Sequence, residues 1–101
     1  MAFIKTIKES ELNKGQTKKV LVQDREIALA NVNGQIIAFD DTCTHEYCSL
    51  SDGELSEFKI TCPCHGSQFD IRSGEVLNLP ASIPVQTYET KVEDGEVFIN
   101  V

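Results

Sequence analysis

Cys43-Thr44-His45 and Cys62-Pro63-Cys64-His65 carry the chemistry that this chain offers most plainly. Each string supplies one thiolate and one imidazole, 16 residues separate His45 from Cys62, and the two strings use both histidines of the sequence. Such a spacing suits two adjacent hairpin tips that close on a metal centre from opposite sides. Two Cys and two His also satisfy tetrahedral Zn²⁺, but zinc sites of that composition usually gather the thiols in one knuckle and the imidazoles in another. Each loop here mixes the types, which counts against zinc. A scaffold in which all four cysteines pair as disulfides leaves the two histidines without a reason.

The order Cys-x-His followed by Cys-x-x-His resembles the signature of Rieske iron-sulfur proteins, in which two thiolates hold one iron of a [2Fe-2S] cluster and two imidazoles hold the other. The resemblance maps this ligand set onto Cys43, His45, Cys62 and His65 and implies one such cluster per chain. It extends through His65-Gly66-Ser67-Gln68-Phe69-Asp70, similar to the family's His-Gly-x-x-Phe/Tyr-Asp. It continues into Asn78-Leu79-Pro80-Ala81-Ser82-Ile83-Pro84, similar to the proline loop that shields the cluster. Ser67 takes the position from which high-potential members donate a hydroxyl hydrogen bond to a bridging sulfide, and Phe69 stands where those members carry tyrosine.

These loops need a frame. The chain has 101 residues, enough for one domain with a real core. Its pattern is short β-branched and aromatic runs broken by turn residues, the mark of an all-β protein. Lys18 to Val22, Glu26 to Val32 and Gln35 to Phe39 read as three antiparallel strands, the last two joined by Asn33-Gly34, a favoured type I′ hairpin turn. Thr87 to Val92 and Glu96 to Val101 read as a closing hairpin about Asp94-Gly95. Between them, from about Asp40 to Pro80, lies an insert with both ligand loops and short strands near Lys59 to Thr61, Gln68 to Ile71 and Val76 to Leu77. The expected architecture is a single domain, residues 1–101. Its β-sandwich or barrel-like antiparallel base carries a small cluster-binding subdomain at about 40–80, as the family fold also implies. Glu9-Ser10-Glu11-Leu12 is expected to form at most one helical turn, capped by Ser10 or Thr6. Val20, Val22, Ile27, Leu29, Ile36, Ala38, Tyr88, Val92 and Phe98 are expected in the core. Leu50, Leu79 and Pro80 are expected as apolar cover over or beside the cluster.

A formal charge of −7 argues against nucleic acid or anionic membrane as partner and suits a basic patch on another protein. Acidic residues close in sequence to the ligand loops, Asp40, Asp41, Glu46, Asp52, Glu54 and Glu57, are candidates for that contact. The amino-terminal stretch Met1 to Lys8 has no apolar run of signal-peptide or membrane-span length, so no membrane span and a cytoplasmic location are expected.

Cys48 and Cys64 fall outside the ligand set that the resemblance implies, and ligand loops converging on one cluster would bring them together. CTHxxC with CPCHGS resembles the high-potential Rieske proteins of cytochrome bc complexes, where the extra pair is a disulfide; two reduced, buried thiols are the alternative. The body of the chain, with Leu50-Ser51-Asp52-Gly53, Phe69-Asp70 and Ser73-Gly74, looks instead like the ferredoxin components of ring-hydroxylating dioxygenases. The resemblance therefore implies a one-electron carrier between a reductase and a terminal oxygenase or similar redox protein, not an enzyme in its own right. The alternative is a Rieske component of a respiratory or nitrite-reductase-like complex. An oxygenase needs a mononuclear iron held by two further histidines, and the sequence has none beyond His45 and His65.

Overall fold

A computed structural model describes residues 2–45 and 47–101. Eleven strands account for its regular structure: β1 (Phe3–Lys8), β2 (Thr17–Val22), β3 (Arg25–Val32), β4 (Gln35–Asp40), β5 (Glu54–Ser56), β6 (Lys59–Thr61), β7 (Gln68–Asp70), β8 (Val76–Asn78), β9 (Thr87–Tyr88), β10 (Thr90–Glu93) and β11 (Glu96–Asn100). Among the described residues there is no α-helix, only 3₁₀ turns at Glu9–Glu11 and Leu50–Asp52. The strands form three antiparallel sheets, ordered β1-β11-β10, β2-β3-β4-β9 and β5-β6-β7-β8, so the all-β antiparallel expectation holds.

The middle sheet explains how the others are held. Every residue from Ile27 to Val32 is buried, and period-2 alternation sends them to two different cores. Ile27 and Leu29 join Ile36, Ala38, Val97 and Ile99 on the β1-β11-β10 side. Ala28, Ala30 and Val32 join Ile37, Phe39, Ile60, Phe69 and Ile71 on the β5–β8 side. The cross-strand pairs Ala28↔Phe39 and Leu29↔Ala38 set small residues against larger ones on each face.

The segment with the ligand loops leaves from the end of β4 and returns on β9, which pairs with β4 through Ala38↔Tyr88 and Phe39↔Thr87. Entry and exit therefore lie on adjacent strands, closed by Asp40 N donating to Gln86 O at 2.9 Å.

Several local expectations are corrected. β1 and β5 extend the sheets beyond the strands read from sequence, and β1 pairs with β11. The single strand expected over Thr87 to Val92 is two, because the chain crosses from one sheet to another at Glu89. Val92 is 40% exposed and Phe98 is only half-buried, while Val97 and Ile99 point into the core. Phe98 instead lies on the outer face, with Lys91 Nζ 5.5 Å from its ring centroid and 4.6 Å from that of Phe3. Neither Ser10 nor Thr6 caps the Glu9–Glu11 turn. Thr6 Oγ1 donates to Val97 O, and the turn is closed by Lys8 N donating to Glu11 Oε2 at 2.8 Å.

Candidate metal centre

The two candidate ligand loops are built on the same turn. In the first, Cys43 N donates to Cys48 O at 2.9 Å and Tyr47 N to Cys43 O at 3.1 Å. In the second, Cys62 N donates to Ser67 O at 2.7 Å and Gly66 N to Cys62 O at 3.2 Å. Both turns need a left-handed residue four places after the cysteine: Tyr47 has φ 57° and Gly66 has φ 79°. The first loop is seated by a bridge between Thr42 and Ser49. The second joins β6 and β7, whose pairs Thr61↔Gln68 and Ile60↔Phe69 fix its base.

A buried carboxylate anchors the exit of the first loop. Asp41 is 1% exposed; it accepts from Ser49 Oγ and, at 2.8 Å, from Ser51 N. That removes Asp41 from the set of docking acids, where sequence reading placed it. Glu46, also in that set, lies outside the described residues. Asp52, Glu54 and Glu57 are exposed. Asp41 is a site-supporting residue that sequence reasoning missed; the hydroxyls of Ser49 and Ser51 shortly downstream were the available signal.

The four candidate donors divide by depth. Cys43 and Cys62 are free and buried, packed among Leu50, Phe69 and Ile71. His45 and His65 are exposed, their rings 5.7 Å apart between centroids and inclined at 80°. Burial pushes the Cys62 thiol above its ordinary 9.0, the Cys64 backbone opposes this, and the adjacent Cys43 thiol raises it again. Cys48 and Cys64 are joined as a disulfide, with Cα atoms 6.4 Å apart, so the pair ties the two loops together. The Sγ atoms of Cys48, Cys62 and Cys64 lie within 4.8 Å of one another, but two of these sulfurs are bonded to each other, and of the three only Cys62 remains a thiol.

Ser67 is fully buried, and its Oγ accepts from Ala81 N at 2.9 Å. That bond docks the loop after Pro80 onto the second ligand loop and leaves the hydroxyl proton to be donated elsewhere. Thr44 Oγ1 donates to Ile83 O at 2.7 Å, tying the same segment to the first loop. The three residues expected as cover separate: Leu50 is fully buried in the core behind the cysteines, whereas Leu79 is 77% exposed and Pro80 is exposed.

A profile of the Rieske [2Fe-2S] domain matches residues 2–89. The chain belongs to the Rieske family. Two buried thiols with two imidazoles outward of them are donor chemistry that fits the family's [2Fe-2S] cluster, the cofactor of this protein. This Rieske chain is 35% identical over 99 residues to the ferredoxin component of the naphthalene 1,2-dioxygenase system of Pseudomonas putida, covering 98% of the chain and 95% of that protein. It is 38% identical over 100 residues to the 3-phenylpropionate/cinnamic acid dioxygenase ferredoxin subunit of Photorhabdus laumondii, covering 98% and 92%. Among solved structures, a ferredoxin of Sphingomonas yanoikuyae B1 matches with TM-score 0.93 and 32% identity over 99% of both chains. A chain from the complex of reduced oxygenase and oxidised ferredoxin in carbazole 1,9a-dioxygenase matches with TM-score 0.90 and 34% identity, covering 96% of this chain and 91% of that one.

Proposed function

We propose that this Rieske protein is a one-electron carrier that takes an electron from a reductase and passes it to a terminal oxygenase or a similar acceptor. The observation that carries the reading is the division of the four donors by depth in a chain so like dioxygenase ferredoxins along its whole length. In this reading Cys43 and Cys62 would hold one iron of the cluster and His45 and His65 the other. When bound, the cluster supplies a one-electron redox couple; the protein's part is to keep the thiolates in a dry core and present the imidazole edges to a partner. With its acceptor side used by Ala81 N, the Ser67 hydroxyl would be free to donate to the cluster and so raise the potential, while Phe69 has no hydroxyl to add a second donor. The chain is a carrier and not an enzyme, since His45 and His65 are its only histidines and none is left for a mononuclear iron. A cytoplasmic location goes with this role, and no helix among the described residues is long and apolar enough to cross a membrane.

Charge supports docking to a basic partner. Of nine Lys and Arg residues, only Lys59 and Arg72 fall between residues 26 and 90, so the ligand loops and proline loop carry no cation. A redox titration followed by EPR tests the reading together with iron and sulfide analysis. Two irons, two sulfides and a Rieske spectrum, with a potential inside the roughly −150 to +300 mV class range, are expected. A colourless protein holding stoichiometric zinc after growth with ample iron would overturn it.

A further inference from the structure

Tyr47 is at odds with its position. It occupies the left-handed place in the first ligand loop that Gly66 fills in the second, with the same hydrogen bonds around it. Glycine adopts that conformation freely, and a bulky aromatic residue rarely does. The ring gains no burial in exchange: it is 88% exposed, the most exposed large apolar side chain among the described residues. Backbone strain held by a surrounding structure that over-determines it points to function, and here the surroundings are rigid. Cys48, the next residue, is cross-linked to Cys64, and the loop closes back on Cys43.

What lies around Tyr47 narrows the occupant. It follows His45 by two residues, and any protein that accepts an electron through the imidazole edges must cover this loop. Leu79 and Ile83, exposed at 77% and 61%, stand on the segment that Thr44 ties to the same loop, and no cation lies in either stretch. A tyrosine has only two side-chain torsions to fix and so loses little conformational entropy on binding, which is why such residues dominate interface energetics.

We propose that Tyr47 is the docking anchor for the electron-accepting partner, whose contact surface is an apolar socket rimmed by Lys or Arg beside its own redox centre. This rests on the carrier reading above. The strain is then retained because it aims the ring outward beside His45.

The test uses the cluster-loaded protein and its Tyr47→Ala, Tyr47→Phe and Tyr47→Gly variants. The oxygenase components of the naphthalene and carbazole dioxygenase systems serve as acceptors, and transfer from the reduced carrier is followed against its concentration. Tyr47→Ala should raise the half-saturating concentration about ten-fold, at high salt as well as low, with the EPR spectrum and potential of the unmodified protein. Tyr47→Phe should keep most of the affinity. Tyr47→Gly should bind as poorly as Tyr47→Ala and yet melt several degrees higher than Tyr47→Ala, because it removes the strain. Unchanged saturation in Tyr47→Ala, an effect confined to the reductase reaction, or a self-association that Tyr47→Ala abolishes would each overturn the proposal. A normal cluster with no transfer from the unmodified protein to either oxygenase would overturn the carrier reading instead.

Discussion

Ser67 performs two tasks with one hydroxyl, and they can be separated. As acceptor it satisfies the Ala81 N–H, a buried donor whose loss of a partner costs about 1–3 kcal/mol. In the proposed reading the same hydroxyl would also donate to the cluster. Ser67→Ala should therefore lower both the melting temperature and the reduction potential, the latter by tens of millivolts on a scale where about 59 mV is a tenfold change for one electron. Phe69→Tyr should raise the potential by a similar amount, and EPR-monitored titrations of the two variants check both signs. Tyr88 provides a separate, pH-dependent signal. Burial and its hydrogen bond to Asp40 raise its pKa above 10.0, while Arg25 works the other way; Tyr88 O–H donates to Asp40 Oδ1 at 2.6 Å. A raised phenol stabilises the fold fully below the unfolded value near 10 and loses that contribution as pH climbs through the folded one. Urea melts in this alkaline range should lose stability more gently in Tyr88→Phe than in the unmodified protein. At this scale the four candidate donors and Ser67 stand out in the sequence because mixed Cys/His loops of this spacing form a recognisable motif. Asp41 and Tyr47 do not: the serines downstream of Asp41 hint at a partner without saying that the carboxylate is buried, and a left-handed tyrosine is decided by a turn that only the folded loop reveals.

Turn chemistry decided which elements were legible. Asn33-Gly34 and Asp94-Gly95 announce themselves by glycine, and both join strands in the expected register. Gln23-Asp24 forms the same kind of two-residue turn, with φ of 50° and 67°, but carries no glycine, so the strand expected from Glu26 in fact begins one residue earlier, where Arg25 pairs with Val22. Replacing Gln23-Asp24 by Asn-Gly should stabilise the protein by about 1 kcal/mol, measured by denaturant midpoint. Phe98 was misassigned for a different reason. Val97, Phe98 and Ile99 are all apolar, so alternation cannot say which face is inward, and β1 and β10 on either side settle it. Gly74 holds the strands of the cluster-bearing sheet to the returning chain: with φ 84°, it leaves room for the Val85 carbonyl where a Cβ would collide with it, and Val85 N donates to Gly74 O at 3.0 Å. Gly74→Ala should cost about 3 kcal/mol or more, visible as a lower melting temperature of the protein with its cluster.

For the molecule as a whole, the disulfide and the central sheet set how it fails. Cys48 and Cys64 are separated by 16 positions, for which chain-entropy arguments give about 3 kcal/mol. Cys48→Ser with Cys64→Ser should lose roughly that much in denaturant titrations and still assemble a cluster, since the proposed ligands Cys43, His45, Cys62 and His65 remain. Alkylation of the unfolded protein without reductant should label Cys43 and Cys62 while sparing the bridged pair. The layered arrangement was only partly legible: the burial of β3 shows in sequence as the apolar run Ile27 to Ala30, but a run cannot tell one core from two. Two rooms that share a party wall come down together when the wall does. Ile27 and Leu29 face one room and Ala28 and Ala30 the other, so opening of the central sheet removes the packing surface of both cores at once. Hydrogen-deuterium exchange makes this visible as a clock. The amides of Ile27 to Val32 should be the last to exchange, at the rate of global opening, and a destabilising change remote from the cluster, Ile99→Ala for example, should quicken them to the same degree as one beside it.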